Sequence, residues 1–580
     1  MQKKYTWKIG GEAGFGIKSV GLMFSKICTR AGLEVFDNSD YPSLIRGGHN
    51  TYQVTVSDQP VYGIEHQVDL LIALNQETID THWAELNHGS AIIYDATVVK
   101  IPKSKLADRN VSYYHVPWTE IYKKIDALPL MRNTISLGAT VALMKLSWKD
   151  LESMIRQVFA HKEKLIPINI QAARQGYDYI RDQYKEEEYK IDLSHLEKRN
   201  KQDKRLVISG NEAIGLGALA AGCNFYAAYP MTPSSSLLHY LAEVAPQAGM
   251  IVRHAEDEIS VINMALGASH AGARAMCGTA GGGFSLMVEA LGLAGITETP
   301  LVILEAQRPG PATGLPTWTG QGDLHFVMHA AQDDFERIIL APGDTEECFR
   351  QTVLAFNLAD QYQMPVIILS DKYLAESYRS TQVFDSKKVK INRGKILTAA
   401  SLRRQKDFRR YRLTADGVSP RTLPGTLGGI FLANSDEHDQ YGLANEDSQN
   451  RIEQVDKRAR KLATAARELD TVSVYGNPRA RKTIIGWGST KGPVLDAMRT
   501  MRKPDEFNFV HFNIIWPFPH EAFKRATARS KSFYLMEGNS TGQLGKLIRQ
   551  ETGVVMDHRF LKYDGRPLFP EEIRERLNHW

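Results

Sequence analysis

Two stretches constrain the fold more than any others. "PLVILEAQ" (300–307) and "MPVIILSD" (364–371) are continuous apolar runs, with no polar–apolar alternation. A strand that is apolar on both faces must be covered on both. That is the situation of a central strand in a parallel sheet flanked by helices. Neighbouring segments repeat the theme. "NFYAAYPMTP" (224–233) reads as a strand and its turn, and "ARAMCGTAGGGFSLM" (273–287) as a strand, a Gly-rich loop and a helix. "RLVISGNEAIGLGALAAG" (205–222) reads as a strand, a Gly turn and a helix of small residues, opening the unit.

The same alternation occurs on either side. Residues 5–9, 53–56, 68–75 and 90–95 are strand-like, with "GGEAGFGIKS" and a helical pattern over 17–31 following the first. "KTIIGWGSTKGPV", "FNFVHFNIIWPFP" and "SKSFYLMEGNSTGQLGKLI" give a last set between 482 and 548. The expected class is therefore α/β, in three α/β units. At 580 residues the chain exceeds what one core supports. The expected boundaries are 1–185, a charged, apolar-poor linker 186–204, 205–380, a polar irregular connecting region 381–480, and 481–580.

Composition removes several function classes. Hydrophobic content of 43%, charged content of 24% and a net charge of +5 are ordinary for a soluble globular chain. Basic residues are scattered except around 198–205 and 403–412, with no aromatic–basic ladder, which disfavours nucleic-acid binding. Cys28, Cys223, Cys277 and Cys348 lie far apart and form no CxxC. The chain alone thus offers no obvious zinc or iron–sulfur cradle, and reduced cytoplasmic thiols are the expectation. No apolar run reaches membrane-spanning length and the first residues lack an export-signal core, so neither an export signal nor a membrane span is expected.

Chemistry concentrates in the middle unit. "YPMTPSS" places Thr232 in a stiff Pro-x-Thr-Pro turn at the head of a helical pattern, where Thr232 or Ser234 could equally cap the helix. In "HAEDEISVINMALGASHAG", Glu258 opens a helix rich in small residues. Taken alone, such a carboxylate is ordinarily a group that complements the helix dipole. Glu256 and Asp257 are adjacent rivals for any chemical role. Arg308 follows the apolar strand directly, at the edge where α/β sheets bind ligands. The N-terminal Gly10, Gly11, Gly14 and Gly16 lack the dinucleotide spacing, and a tight turn accounts for them as well as a phosphate does.

Together, "YPMTPSS", "EDEISVINMALGASHAGARAMCGTAGGGFSLMVEALGLAG", "PLVILEAQRPGPATGLPT" and "QGDL" resemble the alpha subunit of the 2-oxoacid:ferredoxin oxidoreductases. "GGEAGFGIKSVG", "YPSLIRGGHN" and "MRNTISLGA" resemble that family's gamma unit, fused ahead of alpha. Met231 departs from the isoleucine common at its position. The resemblance spans nearly the whole chain. It implies a pyrimidine-binding-type central unit and a transketolase C-terminal-like last unit.

The resemblance also implies the chemistry: thiamine diphosphate-dependent oxidative decarboxylation of a 2-oxoacid, with coenzyme A taking the acyl group and ferredoxin the electrons. The leading substrate is 2-oxoglutarate, giving succinyl-CoA; pyruvate, a broad range, or a non-catalytic assembly subunit are the alternatives. In such families a separate beta subunit carries the diphosphate site, Mg²⁺ and a [4Fe-4S] cluster, in an (alpha–beta)₂ assembly. The absence of a Gly-Asp-Gly here, with "GDL" at 322–324 the nearest, agrees with that division. By the same resemblance Glu258 is the acid at the cofactor pyrimidine, and Tyr229, Pro230 and Gly281 are cofactor contacts. Arg308 and Thr232, helped by Thr317, hold the substrate. Arg46, Gly47 and Gly48 are candidates for coenzyme A, and His438 is structural.

Overall fold

The computed structural model describes residues 4–44, 47–102, 111–185, 192–196, 198–200, 203–404 and 407–580. Arg46, and residues 186–191, 197 and 201–202 of the expected linker, lie outside them. Three sheets organise the molecule.

The central sheet runs in the order Ile514–Trp516, Ile338–Leu340, Pro365–Asp371, Leu301–Gln307, Ala275–Thr279, Phe225–Ala228, Ile251–His254. All but the first of these strands are parallel. Leu301–Gln307 and Pro365–Asp371 are buried throughout, as their apolar runs require. Helices Glu258–His270 and Gly281–Ile296 bury Val261, Ile262, Phe284 and Met287 in the core over this sheet. Each large apolar side chain so buried contributes roughly 1.5–3 kcal/mol.

The N-terminal sheet is mixed. Lys4–Glu12 is parallel to Val68–Ala73 but antiparallel to His49–Ser57, which in turn pairs antiparallel with Glu34–Asp40. Glu34–Asp40 reads "EVFDNSD", apolar only at Val35 and Phe36, with no apolar run or alternation. It is buried because its polar groups find partners: Asp37 accepts from Ser25 Oγ at 2.8 Å and from the Tyr378 amide at 2.9 Å.

Arg205–Ser209, expected to open the second unit's sheet, does not join it. It pairs antiparallel with Tyr378–Gln382, and both strands extend the N-terminal sheet past Glu34–Asp40. Sequence periodicity fixes that a strand forms; it does not say which sheet edge takes it.

The connecting region is also more regular than its composition suggests. Ser448–Glu468 is a helix of 21 residues. Its inward face carries Lys457 and Lys461, both buried and both ion-paired to the buried Glu298. The segment reads as polar because its inward face buries paired charge beside few apolar side chains.

The last unit has a five-stranded sheet ordered Ser473–Gly476, Phe507–Phe512, Lys482–Trp487, Ser532–Glu537, His558–Leu561. Its Trp487, Val510 and Phe512 share a core with Phe284 and Met287 of the central unit. Lys491 reaches across to Asp344 and Glu347, each at 2.5 Å.

Candidate active site

Four neighbouring parallel strands deliver the candidate residues to one edge of the central sheet. Leu301–Gln307 runs into Arg308, and Ala275–Thr279 through Ala280 into the start of helix Gly281–Ile296, where a Gly-rich loop was expected. Phe225–Ala228 runs into the Tyr229–Pro233 turn, and Ile251–His254 into Ala255–Glu258. This is the carboxyl edge, where open α/β sheets take their ligands.

The local geometry separates the three rival carboxylates. Asp257 is the helix N-cap: it accepts from the Ser260 amide at 2.7 Å, and that hydrogen bond holds its carboxyl below the usual range. Glu256 is exposed. Glu258, the first helical residue, is 3% exposed, and its Oε1 meets no hydrogen-bond partner among the described residues. An unsatisfied buried polar atom costs about 1–3 kcal/mol. Gly283 makes room for it, because a Cβ there would lie 2.9 Å from Glu258 Cδ and overlap Oε1 and Thr279 Oγ1. A carboxyl group held at a ligand edge with one oxygen unpaired can share a proton with a ligand nitrogen.

Thr232 and Arg308 meet directly. Arg308 Nη1 donates to the Thr232 carbonyl at 2.8 Å. The turn is braced further: Ser234 Oγ donates to the Met231 carbonyl at 2.7 Å, and Asn211 Nδ2 to the Pro233 carbonyl at 2.9 Å. Helix Ser235–Ala248 has no side-chain cap, so neither Thr232 nor Ser234 serves as one. No partner for the Thr232 hydroxyl is found among the described residues. Burial lowers the Arg308 pKa, against the opposing pull of Asp323 and Glu305.

Thr317 is 5% exposed, with its hydroxyl unpaired. It sits in a loop folded back on itself, the Leu315 amide donating to the Pro309 carbonyl at 2.9 Å. Tyr229 and Pro230 are exposed beside His254, whose ring lies 6.2 Å from that of Tyr229. Gly281 opens its helix, and the space of its missing Cβ is taken by Asp323, whose Oδ2 would be 2.6 Å away. His438 is buried in the connecting region, its ring 4.0 Å from that of Tyr411.

The N-terminal loops converge separately. The Ala13 amide donates to the Gly48 carbonyl at 3.1 Å, joining the "GGEAGFG" and "RGGHN" loops. Gly47 and Gly48 have φ of +72° and +86°, which glycine adopts without strain.

Sequence reasoning passed over Asp323, which packs against Gly281, and Glu305, which is fully buried with both carboxyl oxygens unpaired among the described residues. A signal was present: Glu305 is the one charged residue within an otherwise apolar buried strand.

The chain as a whole is similar to known proteins. Residues 216–457 match the family described as pyruvate flavodoxin/ferredoxin oxidoreductase, thiamine diphosphate-binding, and 6–179 match pyruvate ferredoxin/flavodoxin oxidoreductase. A 2-oxoacid:ferredoxin oxidoreductase subunit alpha from Saccharolobus solfataricus is 32% identical over 99% of this chain and 97% of its own length. The chain belongs to the 2-oxoacid:ferredoxin oxidoreductase alpha subunits. This alpha subunit is thus part of a thiamine diphosphate-dependent enzyme and works with a partner subunit. It is also 27% identical, over 88% of its length and 82% of the other, to the 2-oxoglutarate oxidoreductase subunit KorA of Mycobacterium tuberculosis. A solved 2-oxoglutarate:ferredoxin oxidoreductase from Magnetococcus marinus, with 2-oxoglutarate, coenzyme A and succinyl-CoA bound, superposes with a TM-score of 0.91 at 31% identity. The overlap covers 100% of both chains. Among the described residues of the alpha subunit, no helix is long and apolar enough to cross a membrane, and no group of His, Cys, Asp and Glu could hold a metal.

Proposed function

We propose that this alpha subunit serves the oxidative decarboxylation of 2-oxoglutarate with coenzyme A, yielding succinyl-CoA, CO₂ and reduced ferredoxin. The observation that carries the reading is the buried, unpaired Glu258 Oε1 at the carboxyl edge of the central sheet. The residues present fit half of a thiamine diphosphate site: Glu258 for the pyrimidine, Tyr229 and Pro230 on the exposed rim, and the Gly281 helix start behind them. When bound, thiamine diphosphate supplies a carbon nucleophile that adds to the 2-oxo group and stabilises the charge left by decarboxylation.

Each residue then has a defined task. Glu258 holds a proton against N1′ of the pyrimidine, and burial excludes water from that proton. Arg308, fixed through the Thr232 carbonyl, presents its remaining N–H groups to the substrate carboxylate. The Thr232 hydroxyl is left to the substrate carbonyl oxygen, and the Thr317 hydroxyl supports the clamp.

The diphosphate, Mg²⁺ and cluster fall to a beta subunit, in an (alpha–beta)₂ assembly. Its docking face on this chain is the outer side of the two small-residue helices. Ile259 and Leu286 stand about half exposed there, and a methyl on Gly267 would meet nothing. Gly47 and Gly48 offer coenzyme A a close backbone approach from the gamma-type unit, residues 1–185, and Arg46, outside the described residues, is the candidate cation for its phosphates. We assign the enzyme to the cytoplasm, as the site of a soluble ferredoxin partner.

A broad 2-oxoacid range is the second reading, favoured by the general name of the S. solfataricus relative. A substrate panel on the complex with its beta subunit separates the two. At least tenfold higher kcat/KM for 2-oxoglutarate than for pyruvate supports the first; equal values reject it.

A further inference from the structure

The sheet of the last unit has a ligand crevice of its own. Lys482–Trp487 and Ser532–Glu537 are parallel neighbours in it. From Lys482–Trp487 the chain passes to Phe507–Phe512 on one side, and only later to Ser532–Glu537 on the other. The connections part between these two strands, and open α/β sheets take ligands outside the carboxyl ends at such a point. Here a side chain of the central unit fills it. Gln321 Nε2 donates to the Trp487 carbonyl at 3.1 Å, and Gln321 Oε1 accepts from the Gly538 amide at 2.9 Å. The backbone joins the same edge. The Gln321 amide donates to the Gly538 carbonyl at 2.7 Å, and its carbonyl accepts from Asn539 Nδ2 at 3.1 Å. Gly488 and Gly538, one residue past each strand, leave the room: a Cβ would lie 3.0 Å from Gln321 Nε2 at the first and 3.2 Å from Gln321 Cγ at the second.

Gln321 closes the loop that leaves the substrate edge. That loop starts at Arg308 and Pro309 and returns to Gly320, where a Cβ would lie 3.3 Å from the Pro309 nitrogen. Thr317 lies in the returning limb. Before it, the Trp318 amide donates to the Leu315 carbonyl at 3.2 Å, closing a tight turn around Pro316 and Thr317. After it, the last unit takes over: the Thr319 amide donates to the Gly565 carbonyl at 3.1 Å, and the Arg566 guanidinium stacks 3.4 Å from the centre of the Trp318 ring. Joining two units needs only apolar packing, which Trp487, Val510 and Phe512 already share with Phe284 and Met287. Four directional hydrogen bonds on one buried residue of a substrate loop instead specify a position.

We propose that Gln321 is a positioning residue, an in-built ligand of the last unit's crevice that sets where Thr317 stands beside the Arg308 clamp. The inference rests on the reading of Thr317 as a substrate residue. The last unit then acts on 2-oxoacid binding from a distance, through this loop. The Thr317 hydroxyl is buried and unpaired among the described residues, so it serves only where the loop puts it. Loosening the clasp spreads the loop over many positions, and the apparent affinity for the 2-oxoacid falls with the fraction that remains competent. Coenzyme A, approached from the N-terminal unit, is not affected.

Steady-state kinetics and amide hydrogen exchange of the assembled complex test this. Gln321→Ala should raise KM for 2-oxoglutarate at least ~10-fold, since misplacement by about 1 Å can cost ~10²-fold, and leave KM for coenzyme A unchanged. Exchange followed by mass spectrometry should quicken across 309–320 and not along Leu301–Gln307. In a Thr317→Val background Gln321→Ala should add little, because the group it places is gone. Arg566→Ala, at an exposed side chain, should give the same pattern with KM raised about two- to fivefold, the worth of one exposed stacking contact, and it decides the matter if Gln321→Ala fails to fold. Unchanged KM and loop exchange, or losses that multiply in full with Thr317→Val, overturn the proposal. A rise of both KM values together marks general damage to the fold and overturns it as well. Wild-type kinetics in Thr317→Val would remove Thr317 from the substrate site, and the role of the clasp with it, while the faster exchange at 309–320 in Gln321→Ala survived.

Discussion

Gly283→Ala probes the site without removing any group credited with chemistry. The added methyl would sit 2.9 Å from Glu258 Cδ and closer still to Glu258 Oε1 and Thr279 Oγ1, where real contacts stop near 3.0 Å. Neither neighbour yields easily. Thr279 is fully buried at the end of its strand, and Glu258 is fixed by the Asp257 cap one residue earlier. The Glu258 carboxyl must therefore shift by several tenths of an ångström. Overpacking of this kind costs about 1–3 kcal/mol. Replacing glycine in a helix returns up to ~1 kcal/mol, so the net loss of stability is at most about 3 kcal/mol. The catalytic loss should be larger in proportion, since misplacing a group by about 1 Å can cost ~10²-fold. Urea unfolding of the chain and turnover of the complex read the two effects. Gly267→Ala, whose methyl meets nothing, is the control, and it should stabilise the chain slightly while weakening association with the beta subunit. Full activity in Gly283→Ala would refute the placement of the Glu258 carboxyl.

Arg308→Ala should lower kcat/KM at least ~30-fold for every 2-oxoacid tested, because truncating one member of a buried charge pair costs about 2–5 kcal/mol. Selective loss of 2-oxoglutarate over pyruvate in steady-state assays would move Arg308 to the distal carboxylate. Expressed without a beta subunit, the chain should contain no iron and show no thiamine-dependent decarboxylation by metal analysis and CO₂ release. Its four cysteines are dispersed and buried, and stoichiometric iron would contradict this. His511, buried with its Nε2 3.0 Å from the Gly488 carbonyl, has its pKa lowered to about 4 by burial. Its neutral form is favoured in the folded chain, so stability holds above pH ~6.5 and falls by roughly 3 kcal/mol towards pH ~4 as the unfolded chain takes the proton. Urea titrations across that window should show a smaller fall in His511→Gln.

Much of this was legible in the chain itself. Continuous apolar runs fixed Leu301–Gln307 and Pro365–Asp371 as buried strands, and the motifs after them marked the ligand edge. What stayed hidden depends on long-range pairing. Three consecutive acids read alike until the Ser260 amide selects Asp257 as the cap. Helix Ser448–Glu468 looks irregular because Lys457 is buried against Glu298, 159 residues away. Arg205–Ser209 has the pattern of any half-buried strand, and its sheet is decided by Tyr378–Gln382.

The central claim is that Glu258 manages a proton at the cofactor pyrimidine. It is tested most directly by the rate of hydrogen–deuterium exchange at C2 of thiamine diphosphate bound in the assembled complex, followed by proton NMR after rapid quench. Glu258→Gln should slow that exchange by at least ~10²-fold while thiamine diphosphate still binds, and Glu256→Gln should leave it unchanged. Wild-type exchange in Glu258→Gln would contradict the account.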